Sequence, residues 1–239
     1  MITLKEHIEL FDGIKDVQDV AKVLDTLTPS KKLSVLRGVR ETYPLKGNLG
    51  VTKEVTDKFK VYESVFELTL GQFIMIEQIL TGKFKFKRES DMDIEIGSYL
   101  LRPLDEKDFD NTDPEKEKHI RSMIMELPVE NFYSAINKFL KNRELVVFKQ
   151  FSGVFYETQS DEDSDEKKEV DTSEQTEASF NQQWYWYNIV RSLAQEDIRR
   201  YDEVYMLKMD VVLPEMSYLA QRNKIESAQQ RAQAAMNRL

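Results

Sequence analysis

Cysteine is absent from the 239-residue chain, and histidine occurs only twice, at His7 and His119. The first absence excludes disulfides and thiolate metal sites and fits a reducing compartment. The second leaves little material for a zinc site or for histidine acid–base chemistry. Long apolar runs are missing too: FIMI, at 73–76, is among the longest, far below the roughly 20 residues that cross a bilayer. The opening stretch MITLKEHIELFDG breaks its apolar pattern with acids and lacks the basic region and apolar core of a signal peptide. A soluble chain without export signal or membrane contact is expected.

A surplus of basic charge is also lacking, since the net charge is -9. Its location matters more than its size. Residues 157–178 (ETQSDEDSDEKKEVDTSEQTEA) hold ten acids against two lysines, which leaves 33 acids against 32 bases elsewhere. The body is therefore nearly neutral, which disfavours a nucleic-acid surface covering it. The acidic segment has one valine, one alanine and no aromatic residue, too little apolar area to offset the entropy of ordering it. It reads as a flexible linker or loop between an N-terminal region, 1–156, and a C-terminal region, 179–239.

What is present is helical periodicity. Val17, Val20, Ala21, Leu24 and Leu27 recur at helical spacing, and Thr28-Pro29 opens the next helix. Thr69 caps a helix over 68–82, with Phe73, Ile76, Ile79 and Leu80 apolar, Glu77 and Gln78 facing water, and Gly82 closing it. DIEIGSYLLRPL, 93–104, predicts a helix ended by Pro103. Asp113-Pro114-Glu115 opens another, and Leu127-Pro128 divides the next pair. Residues 60–68 and 144–156 fit helix or strand, with Gly153 a kink in the latter. The fold class is mainly α: an irregular multi-helix bundle with at most a few short strands.

Candidate chemistry is thin. KGNLG, 46–50, lacks the phosphate-loop spacing, and the oxygens of Asp105, Asp108, Asp110, Asn111 and Asp113 lack the order and turn glycine of a calcium loop. Asp197, Asp202 and Glu203 read as acids at a helix start. KFKFKR, 83–88, alternates basic and aromatic residues as a backbone-and-base binder would, but on a neutral body it reads as an exposed edge. No catalytic residue, metal ligand or cofactor motif is assigned.

Two features look built for contact. In WYWYNIVRSLA, 184–194, a step of 100° per residue puts Trp186, Ile189, Val190, Leu193 and Ala194 on one face and Tyr185 and Tyr187 at its margins. Trp184 falls opposite, with Asn188 and Arg191, where an indole suits an interface. The C-terminus, QRNKIESAQQRAQAAMNRL, has neither proline nor glycine, and carries a thin seam of Ile225, Ala228, Ala232, Ala235, Met236 and Leu239. Such a seam does not stabilise a lone helix; it suits docking on a partner. Trp184, Arg191, Ile225, Ala228, Ala232, Met236 and Leu239 are the candidate partner-binding residues.

ELTLGQFIMIEQILTG and WYWYNIVRSLAQEDIRRYDEVYMLKMDVVLPEMSYL resemble small helical morphogenesis proteins of tailed bacteriophages, most nearly the tail assembly chaperones that hold the tape-measure protein. The two stretches cover about a quarter of the chain. The resemblance implies a non-enzymatic protein that binds other phage structural proteins, in the host cytoplasm or the virion. Its partners would include a tail or head–tail component, and self-association stays open. A head–tail connector or ring component is the alternative. A nucleic-acid-associated protein ranks below both.

Overall fold

The computed structural model describes residues 3–11, 23–24, 26–28, 31, 57–104, 114–155 and 184–236. The predicted Pro29 helix start, the KGNLG loop, the Asp105–Asp113 cluster and the acidic segment lie outside them. Among the described residues the fold is mainly α, with a single two-stranded sheet. In chain order come α1 (Leu4–Phe11), β1 (Phe59–Val61), α2 (Leu70–Leu80), α3 (Glu89–Leu100), β2 (Leu101–Pro103), α4 (Pro114–Met125) and α5 (Val129–Glu144). After these follow a π-helical stretch (Leu145–Gln150), α6 (Ser152–Phe155), α7 (184–193), α8 (Tyr201–Tyr205) and α9 (Met209–Met236).

The chain divides into two compact units, and not at the acidic segment. One comprises Met1–Val65 and Met75–Arg143; the other comprises Phe66–Ile74 and Glu144–Leu239. The expected N-terminal region of 1–156 is thus not one body, because residues 66–74 and 144–155 fold with the C-terminal residues. Backbone pairing holds them there. Leu70 N donates to Leu207 O at 2.7 Å, and Met209 N donates to Leu68 O at 2.9 Å. Composition along a chain carries no signal for such a long-range pair.

In the first unit α4 packs on α3, α1 and β2. Phe59, Leu100, Ile124, Phe132 and Phe139 are buried in its core. β1 and β2 pair antiparallel with Lys60 opposite Arg102, so α3 ends at Leu100 and Pro103 closes a strand, not the predicted helix. Proline tolerates the last position of an edge strand because it needs no N–H there. Glu77 does not face water: it is only 7% exposed. Arg143 makes a two-pronged contact with it, including Nη2 donating to Oε2 at 2.7 Å.

The second unit centres on aromatic packing. Phe73, Phe155 and Trp186 meet with ring centroids 5.8–6.1 Å apart, and α6 packs on α9 and on the π-helical stretch. The described part of the 144–156 segment, 144–155, is helical, and its break comes at Phe151, between the π-helical residues and α6, rather than at Gly153.

One local arrangement occurs in both units. Thr3 N donates to Glu6 Oε2 at 3.0 Å and Glu6 N to Thr3 Oγ1 at 3.2 Å. Likewise Thr69 N donates to Gln72 Oε1 at 2.9 Å and Gln72 N to Thr69 Oγ1 at 3.3 Å. Each is a reciprocal capping box satisfying amides that a helix start leaves open. Each threonine also bridges the residue before a later helix, Thr3 to Pro128 ahead of α5 and Thr69 to Lys208 ahead of α9. Leu4 N donates to Leu127 O at 2.7 Å, as Leu70 N does to Leu207 O. Matching positions are buried: Leu4 and Leu70, Ile124 and Val204, Val129 and Met209, Phe132 and Val212.

Candidate protein-binding surface

α7 places the four consecutive rings unequally. Trp186 is half-buried against Phe73 with the ring planes at 86°. Val190 and Ala194 are fully buried on the same face, as a 3.6-residue period requires. Tyr185 buries part of its ring and donates its hydroxyl to Val154 O at 3.0 Å. Trp184 is 41% exposed, with the edge of another exposed ring, Tyr187, 5.5 Å away. Tyr187 in turn stands against Tyr201 at 6.0 Å, with their hydroxyls 3.5 Å apart. An aromatic patch is thus displayed to solvent.

The polar residues around that patch are mutually neutralised. Arg191 reaches Glu196 at 3.2 Å, and Arg199 makes a bidentate pair with Asp197, at 2.9 and 2.8 Å. This guanidinium lowers the Asp197 pKa, helped by the Arg199 amide that the same carboxylate accepts as an N-terminal cap. Burial, with Asp202 nearby, raises the Tyr205 pKa, which keeps the phenol protonated. Asp197 therefore caps a helix start and pairs with Arg199, and Asp202 stands in the first turn of α8.

α9 changes character along its length. From Met209 to Met216 one side is buried, through Met209, Val212, Leu213 and Met216. From Gln221 to Gln230 every residue is exposed, and Ala232 and Met236 are exposed as well. Ile225 stands 59% and Met236 70% exposed, with Ala228 and Ala232 between them. Pro214 sits inside the helix yet leaves it continuous, without the N–H that would donate to the carbonyl four residues earlier. Ile225, Ala228, Ala232 and Met236 of the predicted seam are thus exposed, and Leu239 lies outside the described residues. Trp184 and Arg191 lie on α7 and the seam on α9.

The loop KFKFKR is exposed and irregular, with Phe84 exposed and Arg88 paired to Asp91 at 2.7 Å at the start of α3. Among the described residues no three acidic or histidine side chains group to hold a metal ion, and no helix is long and apolar enough to cross a membrane.

No protein-family model, curated protein or solved structure matches the chain. Sequence reading missed the repeated Thr-Leu-x-(Glu/Gln)-x-Ile, at 3–8 and 69–74, which marks both capping boxes. It also missed that Leu68–Leu70 lies beside Leu207–Met209, so the start of the first phage-like stretch, through Ile74, belongs to the same unit as the second.

Proposed function

We propose that the chain is a non-enzymatic assembly or structural protein of a tailed bacteriophage, acting by binding another virion component as a tail assembly chaperone does. The observation that carries the binding mode is the second half of α9, a helix exposed on every side whose apolar residues cover nothing in its own unit. A helix of that length without tertiary packing is marginal in water, so a partner that covers it supplies stability the free chain lacks. The displayed Trp184–Tyr187–Tyr201 rings add a second contact area of the type that anchors interfaces. The phage setting is supported by the sequence resemblance, and the capping box at Thr69 gives that motif a structural meaning.

The test is removal of residues 221–239. The truncated chain should keep its helical signal over 1–220 and its unfolding midpoint, and should lose its co-purifying structural protein when expressed with the neighbouring assembly genes. Capture unchanged by the truncation would contradict the reading.

A further inference from the structure

Tyr187 on α7 and Tyr201 at the start of α8 stand with ring centroids 6.0 Å apart, planes at 74° and hydroxyls 3.5 Å apart. Each is held by its own helix. Tyr187 lies three residues before the buried Val190, and Tyr201 three residues before the buried Val204. The turn between the helices is fixed as well. Gln195 and Glu196 adopt left-handed backbone angles, φ 55° and 65°, which residues other than glycine keep only where their surroundings impose them. Glu196 N donates to Arg191 O at 2.9 Å, and Asp197 N to Ala194 O at 3.2 Å. The fold therefore brings the two phenols together although fourteen positions separate them.

The pair is open to reagents, since Tyr187 is 42% exposed and Tyr201 half-buried. Other tyrosines are engaged differently: Tyr99 and Tyr133 are buried, Tyr185 donates its hydroxyl to Val154 O, and Tyr62 lies beneath the Lys60 ammonium. A phenol that loses one electron and its proton becomes a phenoxyl radical, with unpaired spin on the ring carbons ortho to the oxygen. Those carbons flank the one that bears the hydroxyl. Rings that meet hydroxyl to hydroxyl need only turn about their side-chain bonds to bring ortho carbons together, and holding them in place favours that encounter over reaction with a distant ring. The chain has no cysteine, so no thiol of its own competes for an oxidant or reduces the phenoxyl.

From this contact we infer a modification site: Tyr187 and Tyr201 couple into a dityrosine that ties α7 to α8 when the chain meets a one-electron oxidant, such as a haem peroxidase supplied with hydrogen peroxide. Each phenol gives up one electron and one proton. One C–C bond forms between two ortho carbons, and the hydrogens those carbons carried move to the two oxygens, which restores both phenols. Hydrogen peroxide takes up the two electrons and two protons and leaves as two waters. The coupling depends on the ring geometry and not on the identity of any partner.

Treating the dilute full-length chain with a haem peroxidase and hydrogen peroxide tests this. The expected product is a monomer lighter by two hydrogens, with dityrosine fluorescence, whose fragmentation joins Tyr187 to Tyr201. Photolysis of a ruthenium tris-bipyridyl complex with persulfate, a small oxidant that reaches rings an enzyme cannot, should give the same link. Tyr187→Phe and Tyr201→Phe keep the rings, and each should lose the product. Tyr185→Phe and Tyr205→Phe should retain it. Tyr205 is the sharper control, because its phenol stands close enough to Tyr187 and Tyr201 to interact electrostatically with both. In urea, where the helices no longer hold the rings, the yield of this link should fall at least about tenfold. A product that survives Tyr187→Phe or Tyr201→Phe, or an equal yield from the unfolded chain, would overturn the inference. So would links formed only between chains, or oxidation by both reagents without a bond between the two rings.

Discussion

Trp186 stands edge-on to Phe73, ring centroids 5.8 Å apart and planes at 86°, while Trp184, two residues earlier, is 41% exposed beside the exposed Tyr187. The same residue type thus holds the second unit together at one position and is displayed at the other. Trp186→Ala should destabilise the protein by about 2–4 kcal/mol, through lost burial and the cavity beside Phe73 and Phe155. Trp184→Ala should change stability by less than about 1 kcal/mol and weaken partner binding instead. Urea unfolding of the two variants side by side checks the contrast.

Gly97 on α3 makes room for Phe132 on α5. A methyl group at position 97 would stand 2.5 Å from Phe132 Cε2, closer than carbon atoms approach. Gly97→Ala should therefore cost about 1–3 kcal/mol by overpacking, although alanine is the better helix former. The double variant Gly97→Ala with Phe132→Leu should recover part of that loss, as unfolding midpoints would show.

The Glu77–Arg143 pair is largely withdrawn from water, with side chains 9% and 15% exposed. Glu77→Gln removes the carboxylate that the Arg143 guanidinium grips and should cost about 3 kcal/mol or more. Replacing both with methionine should be far milder, because the desolvation cost disappears along with the attraction. Thermal unfolding of the single and double variants separates these outcomes.

His7 supplies a pH dependence. Burial lowers its pKa from 6.5 to about 4, with the Tyr133 ring edge-on at 6.3 Å. Between those values the unfolded chain takes up a proton that the folded chain refuses. Stability is therefore full above about pH 6.5 and falls as the pH drops toward 4, by roughly 2–3 kcal/mol in total. His7→Gln should flatten that part of the profile, measured by urea unfolding between pH 7 and pH 4.5.

The elements with strong local signals were legible in the sequence. Thr69 and Gly82 bracket α2, with Gly82 at φ +74°; Leu127-Pro128 separates α4 from α5, and the face containing Val190 and Ala194 is buried. Glu77 was not legible, because its environment depends on Arg143, which lies 66 positions away. Nor was the division into two units, since it rests on the pairing of Leu68–Leu70 with Leu207–Met209. The 101–103 strand was hidden for a related reason: its partner, 59–61, is too short to read as a strand alone. On the candidate surface, the spacing of Ile225, Ala228 and Ala232 placed a seam on a helix, but whether its own unit covered it was a question only tertiary structure answers.

Backbone hydrogen exchange across α9 tests the central claim most directly, in the free chain and after the co-purified partner is bound. In the free chain, amides of 221–236 should exchange quickly and those of 212–216 slowly, since only the latter belong to a buried stretch. Binding should slow exchange through 218–236 and leave α3 to α5 unchanged. Equal protection of 221–236 with and without the partner would contradict the claim that this helix is the binding surface.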